Sequence, residues 1–209
     1  MFARNLDWDP RNQFAAASCR LEYSRGGRKL FQTAGWPGSI GVVTGVSEKG
    51  FGIALNFPCD HGGQLDPMGQ PVLLLIRSLL EQSGSFMSAV ETLCGVRTTS
   101  PGIFTLAGAD NAEMKVVEHE VERVRVRSAN VPSSGVCSRL AATNHFGRKR
   151  EYCDRYERLA NQLFSGYDDA ITIGDEEAFA ALESVRLGCT ASHVVMRPRL
   201  KSLSMRGPG

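Results

Sequence analysis

The sequence has no apolar run long enough to cross a bilayer. The longest such run, Val72 to Ile76, is far shorter than the roughly 20 residues that a membrane-spanning helix needs. We interpret it as part of a buried helix and expect no membrane span. We also expect no signal peptide at this amino end, because it is polar and charged from residue 4.

Metal-binding patterns are missing as well. The six cysteines are widely spread, and none forms a Cys-x-x-Cys pair. The four histidines are also scattered, without metal spacing: His61, His119, His145 and His193. We therefore predict no metal site and treat the histidines as incidental to catalysis. Free thiols in a reducing cytosol are the simplest interpretation of the cysteines, so we expect a cytoplasmic protein.

Two common enzyme motifs are absent. There is no Gly-x-Ser-x-Gly elbow, and no glycine-rich stretch has the strand–loop–helix context of a dinucleotide site, so we predict no cofactor. A net charge of +2 gives no reason to expect nucleic acid as a partner. Arg123, Arg125 and Arg127 alternate with valines, which predicts one solvated strand face rather than a basic patch.

The amino-terminal part is predicted to consist of strands and turns only. Gly26-Gly27 separates two strands of a hairpin, Cys19–Ser24 and Lys29–Thr33. Trp36-Pro37-Gly38 forms a turn. A second hairpin follows, with strands over Ile40–Val46 and Phe51–Phe57.

Helices and strands then alternate in groups. Helices are predicted from Pro71 to about Gln82 and from Phe86 to Cys94, where Ser85 or Ser88 could form the cap. Strands are predicted at Gly102–Ala107, Met114–His119, Val121–Arg127 and, briefly, Arg139–Asn144. The chain is predicted to end with helices at Lys149–Phe164 and Asp175–Val185 and with a hairpin of Ser192–Met196 and Lys201–Met205. This order indicates the α+β class, and without repeats or linkers we expect one domain over residues 1–209.

Two short segments have the residues for chemistry. Ala3-Arg4-Asn5-Leu6-Asp7-Trp8 places an arginine and an aspartate three positions apart among apolar residues. In an extended strand these two side chains point to opposite faces unless a bulge or turn intervenes. The second segment, Phe51 to Pro58, is an apolar strand with Asn56 near its end.

Together these segments resemble the N-terminal-nucleophile amide hydrolases, in particular the penicillin acyltransferase-like, choloylglycine hydrolase and acid ceramidase branches. The family motif is Gly-Arg-Asn-x-Asp on the second strand of a hairpin, and Ala3 stands in place of the glycine. The resemblance implies a four-layer αββα sandwich, with two stacked antiparallel sheets between helices. It also implies a first strand that begins with a nucleophilic cysteine. That strand is missing here, and no cysteine precedes Arg4.

The resemblance also implies roles for five residues. Arg4 would lower the pKa of the thiol, and Asp7 would hold the α-amine of the nucleophile. Asn56 would donate to the oxyanion, and Asn144 would lie near the nucleophile. Arg155, in a segment like a family helix start but without its serine, would contact substrate. Each has a plainer alternative: a buried ion pair for Arg4 and Asp7, a turn or cap for the asparagines and a surface position for Arg155.

Two functions remain open. The first is a linear amide C–N hydrolase or acyltransferase that acts on a small-molecule acyl amide through an acyl-cysteine in the complete protein. The second is a degenerate, non-catalytic domain that binds a small molecule or a partner on the same fold. An incomplete gene start would favour the first, and the loop from Cys59 to Gly69 would then select the substrate. The resemblance leaves a homo-oligomer open.

Overall fold

A computed structural model of the chain describes residues 1–59, 65–120, 123–128, 140–146, 153–164 and 173–208. The strands are β1 (Phe2–Asp7), β2 (Cys19–Arg25), β3 (Arg28–Gly35), β4 (Thr44–Ser47), β5 (Gly52–Asn56), β6 (Gly102–Ala107), β7 (Met114–His119), β8 (Val124–Ser128), β9 (Thr190–Arg197) and β10 (Ser202–Arg206). The helices are α1 (Arg11–Ala17), α2 (Val72–Gln82), α3 (Phe86–Gly95), α4 (Asp154–Phe164) and α5 (Asp175–Ser184).

The strands form two antiparallel sheets. Strands β2 to β8 make a seven-stranded sheet in sequence order, and β1, β9 and β10 make a three-stranded sheet with β9 in the middle. Among the described residues, no strand pairs with the other edge of β1. The predicted α+β class is confirmed.

Three apolar cores define four layers. The largest joins α2 and α3 to one face of the seven-stranded sheet, around Phe31 and Phe104. The second lies between the two sheets and takes residues from both: Ala34, Val46, Ala54, Val194, Met196 and Leu203. The third joins the small sheet to α5, where Phe179 packs against Val195. The order helix, sheet, sheet, helix confirms the predicted αββα sandwich.

The pairing of β1 with β9 is irregular at the end of β1. The register with β9 shifts between Leu6 and Asp7, which leaves Ala191 of β9 unmatched and sets Asp7 opposite Thr190. Thr190 and Val194, the partners of Asp7 and Arg4, are an even number of positions apart on β9 and share a face, so Asp7 lies on the face that Arg4 occupies. The expected condition for the Arg–Asp pair to share a face is therefore met.

Two predictions for the amino-terminal part were wrong. Residues Arg11–Ala17 form the helix α1, not a turn; the helix buries none of its residues and has no side-chain cap, so its sequence signal is weak. The predicted strand Ile40–Val46 begins only at Thr44. Before it, the Val42 amide donates to the Leu73 carbonyl in the first turn of α2 instead of to a neighbouring strand.

Two further corrections concern the second half of the chain. The strand predicted at Arg139–Asn144 is absent over residues 140–144. Instead of pairing with a strand, the Ala141 carbonyl accepts from the Arg127 side chain and the Asn144 carbonyl accepts from the Cys59 amide. The Arg127 side chain is not solvated either. Its side chain is 19% exposed and is bonded to Glu118, which is 1% exposed. The starts predicted at Val121 and Lys149, like residues 60–64 of the loop, lie outside the described residues.

The remaining general predictions concern membrane spans, cysteines, location and domain number. No helix in the described ranges is both long and apolar enough to span a membrane. Five cysteines are free thiols, namely Cys19, Cys59, Cys94, Cys153 and Cys189, as expected, and Cys137 lies outside the described residues. The cytoplasmic location and the single domain stay predictions.

Candidate active site

A small cavity of about 60 Å³ opens at one end of the space between the two sheets. Eight residues line it: Arg4, Asp7, Trp8, Val43, Leu55, Asn56, Phe57 and Asn144. Four of them are the residues to which the sequence assigned catalytic roles. Residues that are distant in the sequence thus meet where the ends of β1 and β5 and the segment 140–146 come together.

Arg4 is buried on the inner face of β1. It lies opposite Val194 of the inter-sheet core, so its side chain enters the space between the sheets. Its Nη1 donates to the Leu55 carbonyl at 3.0 Å and to Thr44 Oγ1 at 3.3 Å. Burial lowers the pKa of Arg4 to about 10, an effect that the Asp7 carboxylate opposes. Arg4 is therefore a cation at neutral pH and a fixed source of positive potential in the cavity.

The Asp7 carboxylate is held by two donors. Thr190 Oγ1 donates to Oδ1 at 2.6 Å, and Arg155 Nη1 lies 2.7 Å from Oδ2. A carboxylate has about four acceptor positions, so capacity remains for a further donor from the cavity. Both donors are hydrogen-bonded elsewhere too, since Thr190 accepts from the Leu187 amide and Arg155 donates to the Val185 carbonyl.

Asn56 is the last residue of β5. Ala54 of the same strand packs in the inter-sheet core, and Asn56, two positions later, points to the same side. Its carboxamide makes no hydrogen bond to any described residue and faces the cavity it lines. A carboxamide of this kind is free to donate to a negatively charged oxygen.

Asn144 links two segments at the cavity wall. Its Nδ2 donates to the Phe57 carbonyl at 2.7 Å, and its own carbonyl accepts from the Cys59 amide at 2.7 Å. One of its two side-chain N–H groups is used in this way, and the second remains for the cavity. Asn144 is thus both a tie between loops and a residue that lines the cavity, while its place near a nucleophile stays a prediction.

Arg155 lies on α4 beside the cavity but does not line it. Its side chain is 14% exposed and pairs with Asp7, so it is not a plain surface arginine. Contact with a substrate stays a prediction for Arg155; the described contacts place it behind Asp7.

An aromatic cluster flanks the opening. The rings of Trp8, Phe14, Trp36 and Phe57 contact one another at centroid distances of 4.8 to 6.4 Å. Trp8 and Phe57 also line the cavity. The site therefore has a charged and amide-bearing side and an apolar aromatic side.

Several contributors were missed from the sequence. Thr44 and Thr190 hold Arg4 and Asp7, but each is a buried threonine in a strand and gives no local signal. Ala3, in place of the family glycine, packs its methyl group against the core under α5. No cysteine is among the residues that line the cavity. The described side chains also include no cluster of three or more metal-ligand types.

The sequence is similar to a known protein family and to several known proteins. Residues 1–183 match the family model described as acyl-coenzyme A:6-aminopenicillanic acid acyl-transferase. The acid ceramidase of Balaenoptera acutorostrata scammoni is 25% identical over 145 residues, 63% of this chain and 36% of that protein. The acid ceramidase of Rattus norvegicus is 27% identical over 125 residues, 56% of this chain and 32% of that protein. The chain thus spans about a third of the length of these curated relatives.

Solved structures share the fold. A Caenorhabditis elegans ortholog of N-acylethanolamine-hydrolyzing acid amidase superposes with a TM-score of 0.82 at 22% identity, covering 94% of this chain and 87% of that one. Penicillin V acylase from Agrobacterium tumefaciens gives a TM-score of 0.58 at 14% identity, covering 98% and 78%. With the family model matched over residues 1–183 and this fold, the chain belongs to the acyl-coenzyme A:6-aminopenicillanic acid acyl-transferase family of N-terminal-nucleophile hydrolases.

Proposed function

We propose that this chain builds the acyl-transfer site of an amide C–N hydrolase or acyltransferase that works through an acyl-cysteine in the complete protein. One observation carries the proposal: Arg4, Asp7, Asn56 and Asn144 come from three separate parts of the chain and line a single cavity. A plain buried ion pair would not require two carboxamides beside it.

The chemistry assigns a task to three of these residues. A thiolate attacks the carbonyl carbon of an acyl amide, the C–N bond breaks, and the amine leaves with a proton from the α-ammonium group of the nucleophile. Water or another amine then attacks the thioester and frees the thiol. The cationic Arg4 favours the thiolate, and Asp7 accepts from the α-ammonium group. Asn56, with its unused carboxamide, donates to the oxyanion.

The small-molecule substrate is an acyl amide whose apolar acyl part lies against Trp8 and Phe57. These two rings are the apolar side of the cavity and are backed by Phe14 and Trp36. The reactive carbonyl would then face the side formed by Arg4 and the carboxamides.

The thiol must come from outside the described cavity lining. A strand that begins with cysteine and pairs with the open edge of β1 would place it beside Arg4 and Asp7. The second candidate function, a non-catalytic binding domain, is favoured by the absence of a cysteine from that lining.

The test compares two proteins, the 209-residue chain and the same chain extended by its in-frame upstream codons. Both are incubated with N-acyl amides and p-nitroanilides, and intact-mass spectrometry follows a covalent acyl adduct. We expect turnover and an adduct only in the extended protein with an amino-terminal cysteine, and neither after Cys→Ala at that position. An extended protein that carries the cysteine but makes neither amine product nor adduct would overturn the proposal. A gene without such a cysteine would leave the binding domain as the function.

A further inference from the structure

Asn144 reaches the cavity from a segment that has no regular secondary structure. Residues 140–146 belong to none of the described helices or strands, so hydrogen bonds with other parts of the chain must hold them in place. The segment is tied to the end of β5 through Phe57 and Cys59. A second tie, at the Ala141 carbonyl, comes from Arg127.

Arg127 connects this segment to the edge of the seven-stranded sheet. Its Nε donates to Glu118 Oε1 at 2.9 Å, and its Nη1 donates to the Ala141 carbonyl at 3.2 Å. Glu118 lies on the neighbouring strand β7 and is 1% exposed, so its carboxylate fixes the guanidinium. Ala141 and Thr143 are themselves buried, which limits how the segment can shift without leaving a cavity.

We propose that Arg127 is a positioning residue that sets Asn144 in the cavity by holding the Ala141 carbonyl. The planar guanidinium serves the carboxylate and the carbonyl through two different nitrogens in one rigid geometry. A lysine has the charge but only one nitrogen on a flexible stem, so it cannot reproduce both bonds in that geometry. The consequence for catalysis rests on the proposed function, whereas the placement of Asn144 does not.

The chain contains a matched control. Arg125 lies two positions earlier on β8, on the same face, and pairs with Glu120 at 3.3 Å. That pair is 43% and 37% exposed, and no described hydrogen bond joins Arg125 to the 140–146 segment. Arg127→Lys and Arg125→Lys therefore make the same chemical change with and without the tie to Ala141.

The first measurement is NMR-detected amide exchange on the intact chain. The Cys59 amide donates to the Asn144 carbonyl, so its protection reports the position of Asn144. We expect Arg127→Lys to speed exchange at Cys59 at least about tenfold while the core amides of β5 keep their rates. Arg125→Lys should change neither. Unchanged exchange at Cys59 in Arg127→Lys would overturn the proposal.

A second variant covers loss of global stability. Arg127→Lys could speed exchange at all amides by lowering the stability of the whole fold. In that case the double variant Glu118→Gln/Arg127→Met, which removes the buried charge together with its partner, is used for the same comparison of Cys59 with the core amides of β5. Uniform acceleration in both variants would show that Arg127 supports the whole fold and would overturn the positioning role. In an active extended protein, Arg127→Lys should lower kcat at least about tenfold with KM little changed. A protein that cleaves no amide would refute the proposed function and leave the exchange result intact.

Discussion

The guanidinium of Arg155 and the carboxylate of Asp7 form an ion pair of 2.7 Å that joins α4 to the end of β1. Both side chains are about 15% exposed, so the ion pair is neither fully buried nor at the surface. With Thr190 on the other carboxylate oxygen, Asp7 is held from two distant parts of the chain. The position of Asp7 therefore depends on packing between layers as well as on its own strand.

Arg155→Met should destabilise the protein by about 2 kcal/mol, because the half-buried Asp7 carboxylate loses one of its two donors. Urea unfolding measures the change. Arg158→Met on the same helix is the control, since Arg158 is exposed and its Nε donates to the Asp154 carbonyl of its own helix at 3.4 Å. It should change stability by no more than about 0.5 kcal/mol. Equal losses in the two variants would contradict a specific role for the Asp7 pair.

Asn56→Ala should leave folding almost unchanged, because the carboxamide makes no hydrogen bond to the described residues. In an active extended protein it should lower kcat by roughly 10² to 10³, the usual effect of removing one oxyanion donor. Asn144→Ala is the comparison: it breaks the bond to the Phe57 carbonyl and should also cost about 1 kcal/mol of stability. Steady-state kinetics and urea unfolding of both variants give the answer, and an unaltered kcat in Asn56→Ala would remove it from the oxyanion role.

Thiol reactivity should differ among the cysteines. Burial and the nearby carboxylates of Asp7 and Asp9 raise the pKa of the Cys189 thiol, and burial raises that of Cys94. Because the thiolate is the reactive form, iodoacetamide at about pH 8 should modify the exposed Cys59 well before these two. Peptide mass spectrometry over time checks the order. Rapid alkylation of Cys189 would instead make it a candidate nucleophile beside Asp7.

Acid should weaken the fold partly through His119. Burial lowers the pKa of this imidazole, whose Nε2 and Nδ1 lie 3.1 Å from the Leu93 carbonyl and 3.3 Å from Thr98 Oγ1. As pH falls below the ordinary value of 6.5, the unfolded chain takes up a proton that the folded chain resists, so stability falls.

Urea midpoints at neutral and mildly acidic pH test this dependence. His119→Gln should lose less stability on acidification than the unaltered protein. His145→Gln, which leaves His119 in place, should keep the full loss. The same acid sensitivity in all three proteins would show that other groups cause it.

Local sequence patterns correctly predicted the turns and caps whose structure depends on residues nearby in the sequence. Gly26 and Gly27 both have positive φ, at 56° and 76°, and form the predicted hairpin turn between β2 and β3. Ser85 caps α3 as one of the two serines proposed, with Ser88 returning the bond. In each case the residues that specify the structure are within a few positions of it.

Long-range contacts decided the rest. The residues before Thr44 look like strand, but the Val42 amide donates to Leu73 in the first turn of α2. Residues 140–144 also look like strand, but they are held by Arg127 and Cys59. In the site, a family motif identified Arg4 and Asp7, yet their partners Thr44 and Thr190 lie in ordinary strand sequence. No short pattern encodes such pairs, because they form only when the layers pack.

The unmatched residue Ala191 has a consequence for how sites of this kind are recognised in genomes. On an uninterrupted strand, side chains that serve one pocket are separated by an even number of positions, and a search built on that rule would discard an arginine and an aspartate three apart. Loss of a single codon at position 191 would leave the letters Arg-x-x-Asp untouched while removing the register shift that sets Asp7 opposite Thr190. The motif therefore identifies a pocket only in combination with the length of a partner strand encoded almost two hundred codons away.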